Sequence, residues 1–148
     1  MTTTEARVEE LQDPRAVLDR LATVVRERAG DAATVEVSTV SAGVAVLEVR
    51  PHRADSCAVT VVAEQWLVVC VGAVGGRFEL DWEAADVTEA EEILDAAIAG
   101  RVVERHGLVW SRVTVTTRDG TERASETIRF RGLLPTLGRR RRYAPYRA

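Results

Sequence analysis

The sequence contains no lysine and has only two histidines and two cysteines. Without lysine, a phosphate-binding loop of the G-x-x-x-x-G-K-[ST] type cannot form. His52 and His106 lack a second ligand at a metal-binding spacing such as H-x-x-x-H, and both lie in or beside predicted loops. Cys57 and Cys70 do not form a C-x-x-C pair. We therefore expect no cofactor and no bound metal.

Long apolar runs are also missing. The longest apolar stretch runs from Trp66 to Val74 and is interrupted by Gly72, whereas crossing a bilayer takes about 20 apolar residues. Residues 1–10 have neither a positively charged start nor an apolar segment of the kind found in secretory signals. These two observations predict a protein of the cytoplasm.

The composition is that of a globular protein. Of 148 residues, 46% are hydrophobic and 29% are charged, which suits one domain, predicted over residues 1–130. All 20 basic residues are arginines, which favours an origin in a GC-rich bacterial genome. One physical consequence is that every basic side chain can make planar, bidentate contacts.

Two segments have the periodicity of helices. Residues 4–29 predict a helix that Gly30 ends, with apolar positions from Val17 to Val25. Asp13-Pro14 is a good N-cap and first-turn proline, so this helix is expected either to restart or to kink there. Thr88 and Glu91 have the spacing of a capping box, and apolar positions from Ala90 to Ile98 predict a second helix over about 88–99.

Valine-rich or alternating segments predict about seven strands. The Asp119-Gly120 pair predicts a type I′ hairpin between the last two. Strands in series with few helices favour an α+β domain, with one mostly antiparallel sheet and both helices packed on it. Seven candidate segments are 34–40, 43–50, 57–63, 66–72, 77–82, 108–118 and 121–130, and 101–105 is either an additional short strand or a continuation of the second helix.

The two cysteines fall on neighbouring predicted strands. Pairing 57–63 with 66–72 would place Cys57 opposite Gly72 and Cys70 opposite Val59, so that both thiols share a face at roughly 7–8 Å. This separation exceeds what a disulfide tolerates, and we expect buried free thiols. The three tryptophans, Trp66, Trp82 and Trp110, are expected in the core or on a sheet face, with a binding groove as the alternative.

Acidic residues concentrate in one stretch. Residues 79–95 hold eight carboxylates and no arginine. The pattern places them on the outer side of a strand and the polar side of a helix, where a solvated face or a docking surface for a basic protein is expected. The predicted partner-binding residues are Glu79, Asp81, Glu83, Asp86, Glu89, Glu92 and Asp95.

The chain ends with the opposite charge. Residues 131–148 hold six arginines and no acid, a formal charge of +6, while residues 1–130 carry −9. We predict an Arg-rich, flexible tail over 131–148. It could fold back on the acidic stretch, remain solvated, or bind a polyanion. The polyanion-binding candidates are Arg139, Arg140, Arg141, Arg142 and Tyr143.

Three functional hypotheses follow. In layout alone, the chain resembles small bacterial immunity proteins and secretion-chaperone-like adaptors, which implies a non-enzymatic protein-binding role through residues 79–95. The second hypothesis is a protein that binds nucleic acid or an anionic surface through its C-terminal arginines. The third is an enzyme that uses carboxylates or a loop histidine. An enclosed cleft with carboxylates converging near His52 or His106 would support the third.

Overall fold

The computed structural model describes residues 13–128 and 138–148. It contains two helices and two antiparallel sheets, which is an α+β architecture. The elements are α1 (Pro14–Ala29), β1 (Ala33–Ser41), β2 (Val44–Pro51), β3 (Val59–Ala63), β4 (Leu67–Val71), β5 (Gly76–Leu80), α2 (Ala84–Ile98), β6 (Val102–His106), β7 (Trp110–Thr116), β8 (Glu122–Ile128) and β9 (Arg139–Arg142).

The first helix has the ends that its sequence predicts. The Asp13 carboxylate accepts the Arg15 backbone N–H at 3.0 Å, and Pro14 occupies the first turn, where no donor is needed. Gly30 ends the helix at φ +57, a conformation that costs glycine little. The part of the predicted helix before Asp13 lies outside the described residues.

The second helix begins earlier than predicted. Glu83, rather than Thr88, is its N-cap, and the Asp86 carboxylate accepts the Glu83 backbone N–H at 3.2 Å. Thr88 lies inside the first turns and donates its hydroxyl to the Ala84 carbonyl. The acidic pair at 83 and 86 therefore performs the capping role that the sequence pattern assigned to Thr88 and Glu91.

The predicted single sheet of about seven strands is wrong. Among the described residues, five strands form one sheet in the order β1-β2-β3-β4-β5, and four form another in the order β8-β7-β6-β9. The chain leaves the first sheet at β5, passes through α2 and starts a new sheet at β6. Each sheet forms by pairing of neighbours in the chain, except that β9 returns to pair with β6.

One core joins these layers. Helices α1 and α2 pack together, α1 against β1, β2 and β3, and α2 against β4, β5 and β7. The inward positions of β3 and β5, every second residue, are buried as the period of two requires. Beside β5 the sheets meet closely, because a Cβ on Gly76 would lie 2.5 Å from the Val113 Cβ.

The hairpin registers differ from prediction in two places. Val59 pairs with Val71 and Thr60 with Cys70, one residue away from the predicted register. Cys57 is therefore buried and Cys70 points to the other face, half-buried, although both are free thiols as predicted.

The β7–β8 pairing ends at Thr116 and Glu122, so the loop is longer than a two-residue type I′ turn.

The described end of the chain is not the flexible tail that was expected. Arg139–Arg142 form strand β9, and the Tyr143 backbone N–H continues this pairing to the Val102 carbonyl. Residues 144–147 then bond to Asp55, Ile98 and Ala29, and Tyr143 and Tyr146 are buried. Residues 131–137 lie outside the described part. None of the described helices is long and apolar enough to span a membrane.

Candidate functional site

Asp95 of the acidic stretch lies inside the protein and not on a docking surface. Its side chain is 12% exposed and contacts three guanidinium groups, from Arg28 on α1 at 2.8 Å, Arg101 at 2.7 Å and Arg118 at 3.4 Å. Asp95 shares the inward face of α2 with Leu94 and Ala97, which explains its burial. Its burial and these three ion pairs leave little of Asp95 for a partner to contact.

Other acids of the stretch are also engaged within the molecule. Glu91 pairs with Arg20 at 3.0 Å and Glu89 with Arg123 at 3.1 Å, while Glu79 pairs with its strand neighbour Arg77 at 2.8 Å. Three exposed carboxylates have no ion pair within the described ranges, and they lie at the start of α2 or on its outer side. These are Asp81, Glu83 and Glu92.

The C-terminal arginines are divided by strand alternation between two faces. Arg141 turns towards the body, where its guanidinium carbon lies 4.6 Å from the centre of the Tyr143 ring and the group donates to the Ala54 carbonyl. Tyr143 is 3% exposed, so it is unsuited to the stacking role predicted for it. Its hydroxyl oxygen accepts the Ala73 backbone N–H at 3.0 Å.

Arg140 and Arg142 take the opposite, outer face of the second sheet. The register places Arg140 beside Arg105, and Arg105 beside Arg112, so three arginines from β9, β6 and β7 form one row across the sheet. Neighbouring strands are about 4.8 Å apart, and like charges directly opposite one another destabilise a sheet. At the end of this row Glu126 of β8 pairs with Arg112 at 2.9 Å.

Among the described residues, Glu126 is the one carboxylate that pairs with the row. Within residues 13–128 and 138–148, no carboxylate pairs with Arg105, Arg140 or Arg142. All three side chains are exposed, as is Arg112. We call the set Arg105, Arg112, Arg140 and Arg142 the arginine face.

The arginine face lines a groove. A cleft of about 360 Å³ lies over it, and threonine hydroxyls and one carboxylate complete its walls. Its lining residues are Val103, Arg105, Arg112, Thr114, Thr116, Glu122, Arg140 and Arg142. A second cleft of about 670 Å³ shares Val103, Thr116 and Arg142 with the first and extends to Arg101 and Pro145. Arginine side chains therefore line the two clefts from β7 to the residues after α2.

Trp110 lies beside the arginine face, at the start of β7. By alternation it shares the outer face with Arg112, two residues along β7. A Cβ on Gly107 would lie 2.9 Å from the Trp110 Cδ1, and one on Gly138 would lie 2.8 Å from its Cζ2. The contacted atoms lie along the nitrogen-bearing edge of the indole, on both of its rings, so the side chain spans both glycines.

No known family model, curated protein or solved structure matches this chain.

The two histidines have different surroundings. His52 is exposed, with its Nε2 3.1 Å from the Thr34 hydroxyl. His106 lines a separate cleft of about 330 Å³, and its buried Nδ1 has no hydrogen-bond partner among the described residues.

Burial raises the pKa of the Cys57 thiol to about 12, which keeps it protonated and unreactive. No three His, Cys, Asp or Glu side chains of the described part form a metal-binding group.

Glu104 is the buried carboxylate that the sequence analysis did not single out. It is 1% exposed, and its Oε1 accepts the Val74 backbone N–H at 3.2 Å. The Tyr143 hydroxyl lies nearby, since a Cβ on Gly72 would meet both the Glu104 carboxylate and this hydroxyl. Alternation within 102–106 could have revealed it, because Glu104 shares the inward phase of Val102. Its contacts attach the β4–β5 turn to the second sheet.

Proposed function

We propose that the protein binds a phosphate-bearing polyanion on the arginine face, as a binding protein rather than an enzyme. The observation that carries the proposal is the row of Arg140, Arg105 and Arg112, three like charges held side by side on adjacent strands with a single carboxylate at one end. A cross-strand pair of like charge costs up to about 1 kcal/mol. A bound anion with several negative charges would replace this repulsion between the arginines with attraction.

The chemistry of the groove supports binding over catalysis. Guanidinium groups stay protonated near neutral pH and present planar, bidentate donors that match phosphate oxygens. Thr114 and Thr116 add hydroxyl groups that can donate to the same oxygens. Because the lining provides mainly fixed positive charge and hydroxyls, it suits the recognition of an anion.

The alternative of a protein-binding adaptor, acting through residues 79–95, has less support. Of its seven predicted contact residues, Glu79, Glu89 and Asp95 already pair with arginines of the same molecule. Asp86 caps α2. The remaining carboxylates, Asp81, Glu83 and Glu92, form a smaller surface than the sequence suggested.

The proposal is tested by the salt dependence of binding to nucleic acids and polyphosphate, with heparin as a comparison polyanion that carries sulfates instead of phosphates. Each phosphate that a protein neutralises steepens the slope of log K against log salt by about 0.7–0.9. The double variant Arg105→Gln/Arg140→Gln should therefore bind more weakly and lose about 1.4–1.8 units of slope. Circular dichroism would confirm that the variant is folded.

The matched control is Arg15→Gln/Arg77→Gln, which removes the same charge from exposed arginines on α1 and β5. It should retain nearly the wild-type slope. An equal loss in both double variants would mean that binding reflects total charge and not this face. Failure of the wild-type protein to bind any of these polyanions would also refute the proposal.

A further inference from the structure

Trp110 gives the arginine face a feature that a simple anion does not require. The indole is held by Gly107, directly after β6, and Gly138, directly before β9, where any side chain would collide with it. Trp110 is only half-buried, so part of the indole remains open to solvent beside the arginines.

The ring and the charges lie close enough along the sheet for one nucleotide to reach both. Residues two apart on a strand are separated by about 6.8 Å. Arg112 is two residues from Trp110, and Arg105 and Arg140 are each two residues from the glycines that the ring contacts. Exposed bases stack on flat aromatic side chains while basic groups hold the backbone phosphates. A sheet surface with both elements side by side can bind base and phosphate together.

We propose that the polyanion is single-stranded nucleic acid, with one base stacked on Trp110 and its phosphates held across Arg112, Arg105 and Arg140. This inference rests on the proposed function and names its ligand. In a duplex the base faces are covered by their neighbours, so they cannot stack on the ring. A planar anionic membrane fits poorly into a cleft whose floor is formed by Val103 and Thr114.

The direct test compares Trp110→Leu with wild type for binding to a short single-stranded oligonucleotide, the matching duplex and heparin. Leucine keeps apolar cover over both glycines but has no aromatic face. Loss of stacking on one base should weaken single-strand binding about 5- to 150-fold, as expected from about 1–3 kcal/mol. Heparin affinity should change less than about twofold, since its contacts are electrostatic.

Two further variants make the result specific. Trp110→Phe keeps an aromatic ring and should recover part of the single-strand affinity. Trp66→Ala removes a tryptophan that is 51% exposed on the loop between β3 and β4, and it should leave all affinities unchanged. Folding of each variant is checked by circular dichroism.

The outcomes separate this inference from the proposed function. If Trp110→Leu binds single strands as tightly as wild type while Arg105→Gln/Arg140→Gln binds weakly, stacking is refuted and the arginine face stands. If wild type prefers vesicles of anionic phospholipid, or the duplex, over the single strand, the choice of ligand is wrong. If the arginine variant binds like wild type, both proposals fail.

Discussion

The Tyr146 hydroxyl donates a hydrogen bond of 2.5 Å to the backbone oxygen of Cys57, a residue 89 positions earlier in the chain. This contact attaches the C-terminus to the segment entering β3, while the Tyr143 hydroxyl binds the β4–β5 turn. The chain has only these two tyrosines, and burial raises the pKa of both phenols. Tyrosine ionisation therefore reports on the attachment of the C-terminal segment.

Alkaline pH should unfold the protein in a step that tyrosine absorbance detects. Both phenols and the Cys57 thiol have raised pKa values in the folded state, so the folded protein retains protons that the unfolded chain releases. Their stabilisation is complete below the unfolded values of about 8.5 for cysteine and 10 for tyrosine, and it is lost as pH rises above them. Absorbance at 295 nm should rise together with the loss of far-ultraviolet circular dichroism.

A gradual tyrosine titration centred near the ordinary pKa, with the circular dichroism unchanged, would contradict this prediction. Tyr146→Phe provides the internal control. It leaves the Cys57 carbonyl without its donor, which costs about 1 kcal/mol, so the alkaline step should move to lower pH with about half the absorbance amplitude.

The arginine row should reduce stability in the absence of ligand. Arg105 lies between Arg140 and Arg112, and replacing it with threonine, a residue that favours strands, removes both like-charge contacts. We expect Arg105→Thr to raise the free energy of unfolding by about 0.2–1 kcal/mol at low salt. Urea unfolding measures the change.

The salt dependence of this stability gain shows whether charge repulsion causes it. Raising ionic strength from about 0.01 M to 1 M shortens the Debye length from about 30 Å to 3 Å, so the advantage of Arg105→Thr should shrink. Arg77→Thr, which removes an arginine paired with Glu79, should show no gain at low salt. A stability gain of equal size at both salt concentrations would point to strand propensity and not to charge repulsion.

Local patterns predicted much of the secondary structure correctly. The alternation of Phe78 and Leu80 with Arg77 and Glu79 gave β5 and its buried face, and Asp13-Pro14 gave the start of α1. Such signals act between residues close in sequence. Cap geometry and the period of two are local properties, so the sequence alone can reveal them.

Pairing was harder to predict, because it is decided between segments. A one-residue change in the β3–β4 register moved Cys70 to the opposite face from Cys57. Strand β9 has no apolar alternation, since all four of its residues are arginines, and it is stabilised by backbone bonds to β6. The arginine face depends on this pairing, so the charge run was visible in the sequence but its partners Arg105 and Arg112 were not.

Asp95 should contribute more to stability than its exposed neighbours on α2. Asp95→Asn removes the negative charge that Arg28, Arg101 and Arg118 share. A hydrogen bond to a charged group contributes about 1.5–3 kcal/mol, and we expect a loss of that order in urea unfolding. Glu92→Gln, at an exposed position of the same helix, should change stability by less than about 0.5 kcal/mol. Similar losses in both variants would contradict the buried cluster.

Gly72 and Gly75 allow the close packing of Glu104 to be measured. Both glycines have positive φ, +80 and +73, so alanine at either position pays a similar backbone cost of about 1–2 kcal/mol. Only at Gly72 would the new Cβ meet buried atoms, with the Glu104 Cδ at 2.8 Å and the Tyr143 hydroxyl oxygen at 3.2 Å. A Cβ on Gly75 meets nothing within 4 Å.

We therefore expect Gly72→Ala to cost about 1–3 kcal/mol more than Gly75→Ala, because it displaces the carboxylate from the Val74 N–H and leaves buried polar groups unpaired. Combining Gly72→Ala with Glu104→Ala should cost less than the sum of the single changes, since the clash and the hydrogen bond involve the same carboxylate. Gly75→Ala and Glu104→Ala should be closer to additive. Equal costs for the two glycine variants would show that Glu104 does not pack over the β4–β5 turn.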